Sequence, residues 1–142
     1  FITICAASVS GGMGISMNIL GYISNMGIPV ILFVIGIFFT VKPATKINNL
    51  SGHRTKYSKL NQQTWDYAQR TMGKTYLIVG AIYTIISAVV NIMLFKQGIK
   101  GDELWLTVGV VVLVQCTAPL IEYVIVENGL KRKFDENGNI RK

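Results

Sequence analysis

Residues 75–95 read TYLIVGAIYTIISAVVNIMLF, twenty-one residues without one Asp, Glu, Lys, Arg or His. An α-helix rises about 1.5 Å per residue and a hydrocarbon layer is about 30 Å thick, so about 20 apolar residues cross it. Inside that layer every backbone amide needs an internal partner, which for a single apolar run only a helix supplies. The stretch therefore reads as a transmembrane helix. Residues 27–41, GIPVILFVIGIFFTV, form a second apolar run that reaches spanning length when extended back to residue 22. A third, residues 104–126, is interrupted by Gln115, Pro119 and Glu122. The whole chain of 142 residues is 51% hydrophobic and 15% charged, with a mean hydropathy of +0.45. Soluble chains average about one quarter charged, and here the charge is missing in blocks. Composition thus excludes a disordered tail, a coiled coil and a disulfide-stapled secreted module. The predicted fold class is an all-α integral membrane protein with three transmembrane helices, 22–41, 75–95 and 104–126.

The cations set the orientation. Residues 42–74 carry Lys42, Lys46, Arg54, Lys56, Lys59, Arg70 and Lys74 against one acid, Asp66. The tail, 127–142, carries Lys131, Arg132, Lys133, Arg141 and Lys142, whereas the turn at 96–103 balances Lys96 and Lys100 with Asp102 and Glu103. Cytoplasmic segments hold the excess of Lys and Arg, so the loop and tail are expected inside and the N-terminus outside. Residues 1–21 are uncharged but contain Gly11, Gly12 and Gly14, each weakening a helix by about 1 kcal/mol. They are expected to form a short helix or re-entrant piece at the outer leaflet, not a fourth span. No basic region marks a signal peptide, and the absence of an initiator Met points to processing or trimming.

The loop holds the most specific chemistry. Pro43, Asn48, Asn49, Ser51 and Gly52 are turn formers, so its first part is expected to be irregular. Asn61 is a suitable N-cap for a helix through residue 72, with Trp65, Ala68 and Met72 on one face. This amphipathic helix is expected along the membrane surface, with Trp65 at the headgroups and Gly73 bending into the second span. Arg54, a planar cation with five donors beside Thr55 and Gly52, suits a phosphate or carboxylate. The neighbouring lysines suit topology and anionic lipid headgroups.

The order Pro43-x-x-Lys46-Ile47-Asn48, Gly52-His53-Arg54-Thr55, Ser58, then Asn61-x-x-Thr64-Trp65-Asp66-x-Ala68-x-Arg70-x-x-Gly73-Lys74 resembles the signature of the SdpI-like immunity proteins, the SdpI/YfhL family. The resemblance covers roughly residues 42–93. His53 stands where that family more usually has an aromatic or aliphatic residue, and residues 1–21 have no counterpart. It implies a bacterial multi-pass protein of the cytoplasmic membrane that protects its producer against a secreted, membrane-active peptide or protein toxin. Less directly, it implies a signalling role in which a cytosolic regulator is held at the membrane. The motif residues it points to for binding are Asn48, Gly52, Arg54, Thr55, Ser58, Asn61, Thr64, Trp65, Ala68, Arg70 and Gly73.

Polar residues within spans are costly and therefore informative. Gln115, Pro119 and Glu122 share one face of the third span, and Gly80, Thr84, Ser87 and Asn91 share one of the second. Facing each other, the stripes would let two helices approach and hydrogen-bond. The alternative is a polar groove that takes a toxin helix or passes a solute, making a small oligomeric transporter with Asn91, Gln115 and Glu122 inside. Glu122 lies near the cytoplasmic end, within reach of headgroups, Lys131 or Arg132.

Other signals are weak. Cys5 and Cys116 read as buried free thiols, and His53 alone builds no metal site and reads as a surface loop residue. Residues 135–139, DENGN, lack the spacing of a calcium loop and read as a turn in a solvated tail. No catalytic motif is present, and no cofactor is expected. The +7 charge flanks the spans, favouring an anionic leaflet over nucleic acid. A homo-oligomer would cover the lipid-facing sides of so thin a bundle.

Overall fold

The computed structural model describes the backbone of residues 2–141 and the side chains of residues 17–141. Four helices follow in order: α1, Ile2–Val41; α2, Gln62–Lys96; α3, Gly101–Gln115; and α4, Ala118–Lys133. An antiparallel bridge between Phe134 and Ile140 closes a small hairpin in the tail. Three stretches are long and apolar enough to cross a membrane, Met17–Val41, Gln62–Lys96 and Gly101–Lys133. The three-span, all-helical expectation holds. Their outer faces are apolar, with Ile31 and Val34 of α1, Ile82, Ile85 and Val89 of α2, and Leu113 and Leu120 of the third span exposed.

Three boundaries differ from the sequence reading. Residues 2–21 do not form a separate or re-entrant piece, because α1 runs unbroken to Val41. A glycine weakens a helix by about 1 kcal/mol without forbidding it. The segment beginning at Asn61 is helical as expected, yet it does not bend at Gly73 to lie on the surface; it is the first part of α2. The third span, by contrast, is interrupted: residues 116 and 117 form a turn before Pro119. Proline has no N–H to donate to the Gln115 carbonyl four residues back, so the ladder breaks there.

Glycine explains how closely α1 and α2 pair. A Cβ on Gly36 would stand 2.5 Å from Leu77 Cα, one on Gly73 2.8 Å from the Phe39 carbonyl carbon, and one on Gly80 2.7 Å from Phe33 Cα. Rising numbers on α1 thus meet falling numbers on α2, an antiparallel crossing at backbone contact. Small residues permit this, and in lipid, where no hydrophobic force separates helices from solvent, such contact is a main source of association. Gly73 is therefore a packing residue.

Two apolar clusters sit at opposite ends of the bundle. Leu94, Leu104 and Val108 gather near the 97–100 turn. Ala68, Met72, Val126, Leu130 and Phe134 join α2, α4 and the tail at the loop end. Between them lies a buried amide network from all three spans. Gln115 Nε2 donates to the Asn25 backbone oxygen at 3.0 Å and to Ser87 Oγ at 2.9 Å, while Asn25 Nδ2 donates to Asn91 Oδ1 at 2.7 Å. The Asn25 carbonyl is the one that Pro29 leaves without its helical donor, so Gln115 supplies across the interface what the proline removed. Ser87 and Gln115 meet as the facing stripes implied. Gly80 instead packs on α1, and Thr84 donates to the Gly80 carbonyl of its own helix at 2.7 Å.

Candidate functional site

The loop, residues 42–61, folds back as a cap over one end of the bundle, held by side chains that bond its backbone. Asn48 Oδ1 accepts from the amides of Leu50 and Ser51, both at 2.9 Å, making the first turn. Gly52 follows at φ +87°, and a Cβ there would overlap the Gln69 carboxamide. Only glycine permits that backbone and that approach.

The close approach exists because Gln69, fully buried on α2, pairs both backbone groups of His53. Its Oε1 accepts from the His53 amide at 3.1 Å, and its Nε2 donates to the His53 oxygen at 2.8 Å. Ser58 Oγ also donates to that oxygen, at 3.0 Å. Ser58 and Thr55 bond reciprocally: Thr55 N donates to Ser58 Oγ at 2.9 Å and Ser58 N to Thr55 Oγ1 at 3.1 Å. Asn61 then caps α2 with Thr64 as its capping-box partner, at 3.0 and 3.1 Å. Trp65, also fully buried, donates its indole N–H to the Ala44 oxygen at 2.7 Å and so ties the start of the cap to α2.

This backbone aims the His53 imidazole into α4. Nδ1 lies 2.7 Å from Glu122 Oε1 and Nε2 lies 3.3 Å from Glu127 Oε1. All three residues are buried, at 5%, 6% and 8% exposure. A neutral imidazole has one N–H and serves one acceptor, whereas the imidazolium has two and serves both carboxylates. Burial works against the charged ring and lowers its pKa. The hydrogen bond and charge of Glu122, then those of Glu127, outweigh this, and the His53 pKa is raised above the usual 6.5.

A raised folded-state value means that the contact contributes its full stability below 6.5 and loses it as pH rises through the raised value. Thermal unfolding in detergent is therefore expected to show a falling midpoint across that window. The slope is expected to shrink in Glu127→Gln, and an unchanged slope in that variant counts against the pairing.

Two expectations are corrected here. His53 is no surface residue, and Glu122 reaches neither Lys131 nor Arg132 but this ring. The reason is topological, since the loop folds inward and brings position 53 against a helix nearly seventy residues further on. Of the other motif residues, Gly52, Thr55, Ser58, Asn61, Thr64 and Trp65 build the cap, and Ala68 lies in the loop-end cluster. Arg54 and Arg70 face outward, the Arg54 guanidinium donating to the Asn49 oxygen. Asn91 and Gln115 belong to the separate amide network.

Sequence reasoning passed over Gln69, Glu127 and Asn25. His53 carried a usable signal: a polar ring where the resembling family usually has an apolar side chain needs polar partners, and Glu122 and Glu127 are the acids at that end of the third span. Cys116 is a free thiol but exposed on the outer face, not buried; Cys5 lies outside the residues described with side chains. Residues 135–139 do form a turn, with Asp135 Oδ1 accepting from the Asn137 and Asn139 amides at 2.9 and 2.8 Å. The tail is docked, however, through Asn61 Nδ2 to the Gly138 oxygen at 2.8 Å and Tyr57 OH to the Asp135 oxygen at 2.8 Å.

A family model described as the SdpI/YfhL protein family matches residues 44–122. No curated protein and no solved structure matches the chain.

Proposed function

Because that model covers more than half of the sequence, the chain belongs to the SdpI/YfhL protein family, and from this we propose that it is a membrane immunity protein protecting its producer from a secreted, membrane-active peptide or protein toxin. One observation carries the reading. The matched segment closes on itself, since Ala44 at its start receives the Trp65 indole and Glu122 at its end receives His53. The segment that the family model matches is thus, in this chain, a preformed cap locked onto a bundle, an architecture for presenting a fixed surface to a partner. His53 and the two carboxylates pair with one another, an arrangement that suits a structural lock in a binding protein.

Arg54 is the motif cation on the outside of this cap. Lys46, Arg70, Lys131, Arg132 and Lys133 are likewise exposed, and none of these six makes an ion pair among the described residues. Exposed, unpaired cations suit anionic headgroups in a cytoplasmic leaflet, the orientation that the charge asymmetry supports. It also favours a second reading, in which loop and tail hold a cytosolic regulator; the full-length protein would then retain that regulator in a pull-down.

Expression in a toxin-sensitive host is expected to raise survival. With Arg54→Ala, survival is expected to fall to the level of cells lacking the gene while the protein stays in the membrane. Unchanged survival with the native protein across the relevant toxins rejects the immunity reading. Full protection by Arg54→Ala rejects only the role of that residue.

A further inference from the structure

A cavity of about 460 Å³ opens beside the cap, between residues 55–57, α4 and the tail. That volume falls within the roughly 300–1,000 Å³ typical of small-ligand sites. Its lining is of mixed charge, with Lys56, Glu127 and Glu136 beside Thr55, Leu60 and the rings of Tyr57 and Tyr123. Lys56 lies beyond ion-pair distance of both carboxylates, so opposite charges surround the space without neutralising each other. Glu127 uses only Oε1, on His53, and among the described residues its other oxygen and the Glu136 carboxylate have no hydrogen-bond partner. Thr55, also in the lining, accepts at Oγ1 from Ser58 N, while among the described residues its hydroxyl proton has no acceptor.

A simple anion would meet two carboxylates, and a simple cation would meet Lys56. A ligand bearing both signs, a few bonds apart, satisfies the whole lining. The location narrows its nature. Leu120, Val124 and Ile125 of α4 are exposed alongside Tyr123, and Lys131, Arg132 and Lys133 follow two turns on. The cavity therefore sits where the apolar exterior gives way to charge, at headgroup depth.

We propose that this cavity binds a phosphoethanolamine group, with the ammonium against Glu127 and Glu136 and the phosphate against Lys56 and the Thr55 hydroxyl. The tyrosine rings add cation–π contact to the ammonium. Charge-assisted contacts of this kind supply both affinity and orientation.

Titration calorimetry on the full-length protein in detergent tests it. The probes are dihexanoyl phosphatidylethanolamine, dihexanoyl phosphatidylglycerol, free phosphoethanolamine and lysine amide. The phosphatidylethanolamine is expected to bind saturably and about tenfold or more tighter than the phosphatidylglycerol, with Glu136→Gln and Lys56→Ala each weakening it about fivefold or more. Both substituted side chains are exposed, so the melting temperature is expected to stay unchanged and serves as the folding control. Free phosphoethanolamine binding as well as the short-chain lipid supports the same chemistry with a soluble source; lipid binding alone supports the headgroup as source. Equal binding of the two lipids, no binding, or indifference to both substitutions overturns the proposal. So does binding of lysine amide that Glu136→Gln abolishes and Lys56→Ala leaves intact, which would make the cavity a seat for a peptide side chain.

Discussion

Replacing His53 with alanine is expected to cost about 3–5 kcal/mol of folding stability and to deplete the protein from the membrane. The size of the loss comes from what remains. Glu122 and Glu127, 6% and 8% exposed, would face a cavity with no cation between them. The Gln69 bonds reach only the His53 backbone, so they would survive and could not compensate. Adding Glu122→Gln and Glu127→Gln to a His53→Phe background is expected to recover most of the loss, because the stranded charge is gone and the ring volume is restored. Thermal or denaturant unfolding in detergent measures both. A change within about 0.5 kcal/mol for His53→Ala, the size of a surface substitution, would mean that the cap is not held by this contact.

The second large effect concerns the crossing of α1 and α2. At Gly36 a Cβ would press on backbone, 2.5 Å from Leu77 Cα and 2.7 Å from the Tyr76 carbonyl carbon. Backbone cannot rotate away as a side chain does, so one helix must move. Gly36→Val is expected to cost about 3 kcal/mol, at the upper end of overpacking, and to loosen the neighbouring contacts at Gly73 and Gly80. Gly27, with open space beside it, is the control: Gly27→Ala is expected to leave stability unchanged or slightly raised. Equal stability of Gly36→Val and the native protein in the same unfolding measurement would contradict the close crossing.

The spans were legible in the sequence because hydrocarbon admits so few backbones. Twenty apolar residues between charged flanks leave only a helix. The cap was legible in part, as Asn61 and Thr64 read as a helix start and do form the capping box. Gly73 misled because glycine permits both a bend and a close contact, and only the opposing Phe39 backbone decides between them. Pro29 and Gln115 show the same limit, since the donor that replaces a lost helical bond lies ninety residues away. His53 was the largest omission. A lone histidine has no local partner to betray it, and its carboxylates enter only when the loop turns inward over α4.

His53 is the sole histidine of the chain, so its imidazole signals in a ¹⁵N-labelled sample need no assignment strategy. Following them across pH in micelles measures the central contact directly. The account predicts titration above 6.5, falling when Glu122→Gln removes the nearer carboxylate. Titration at or below 6.5, indifferent to Glu122→Gln, would show the ring in water and the cap undone.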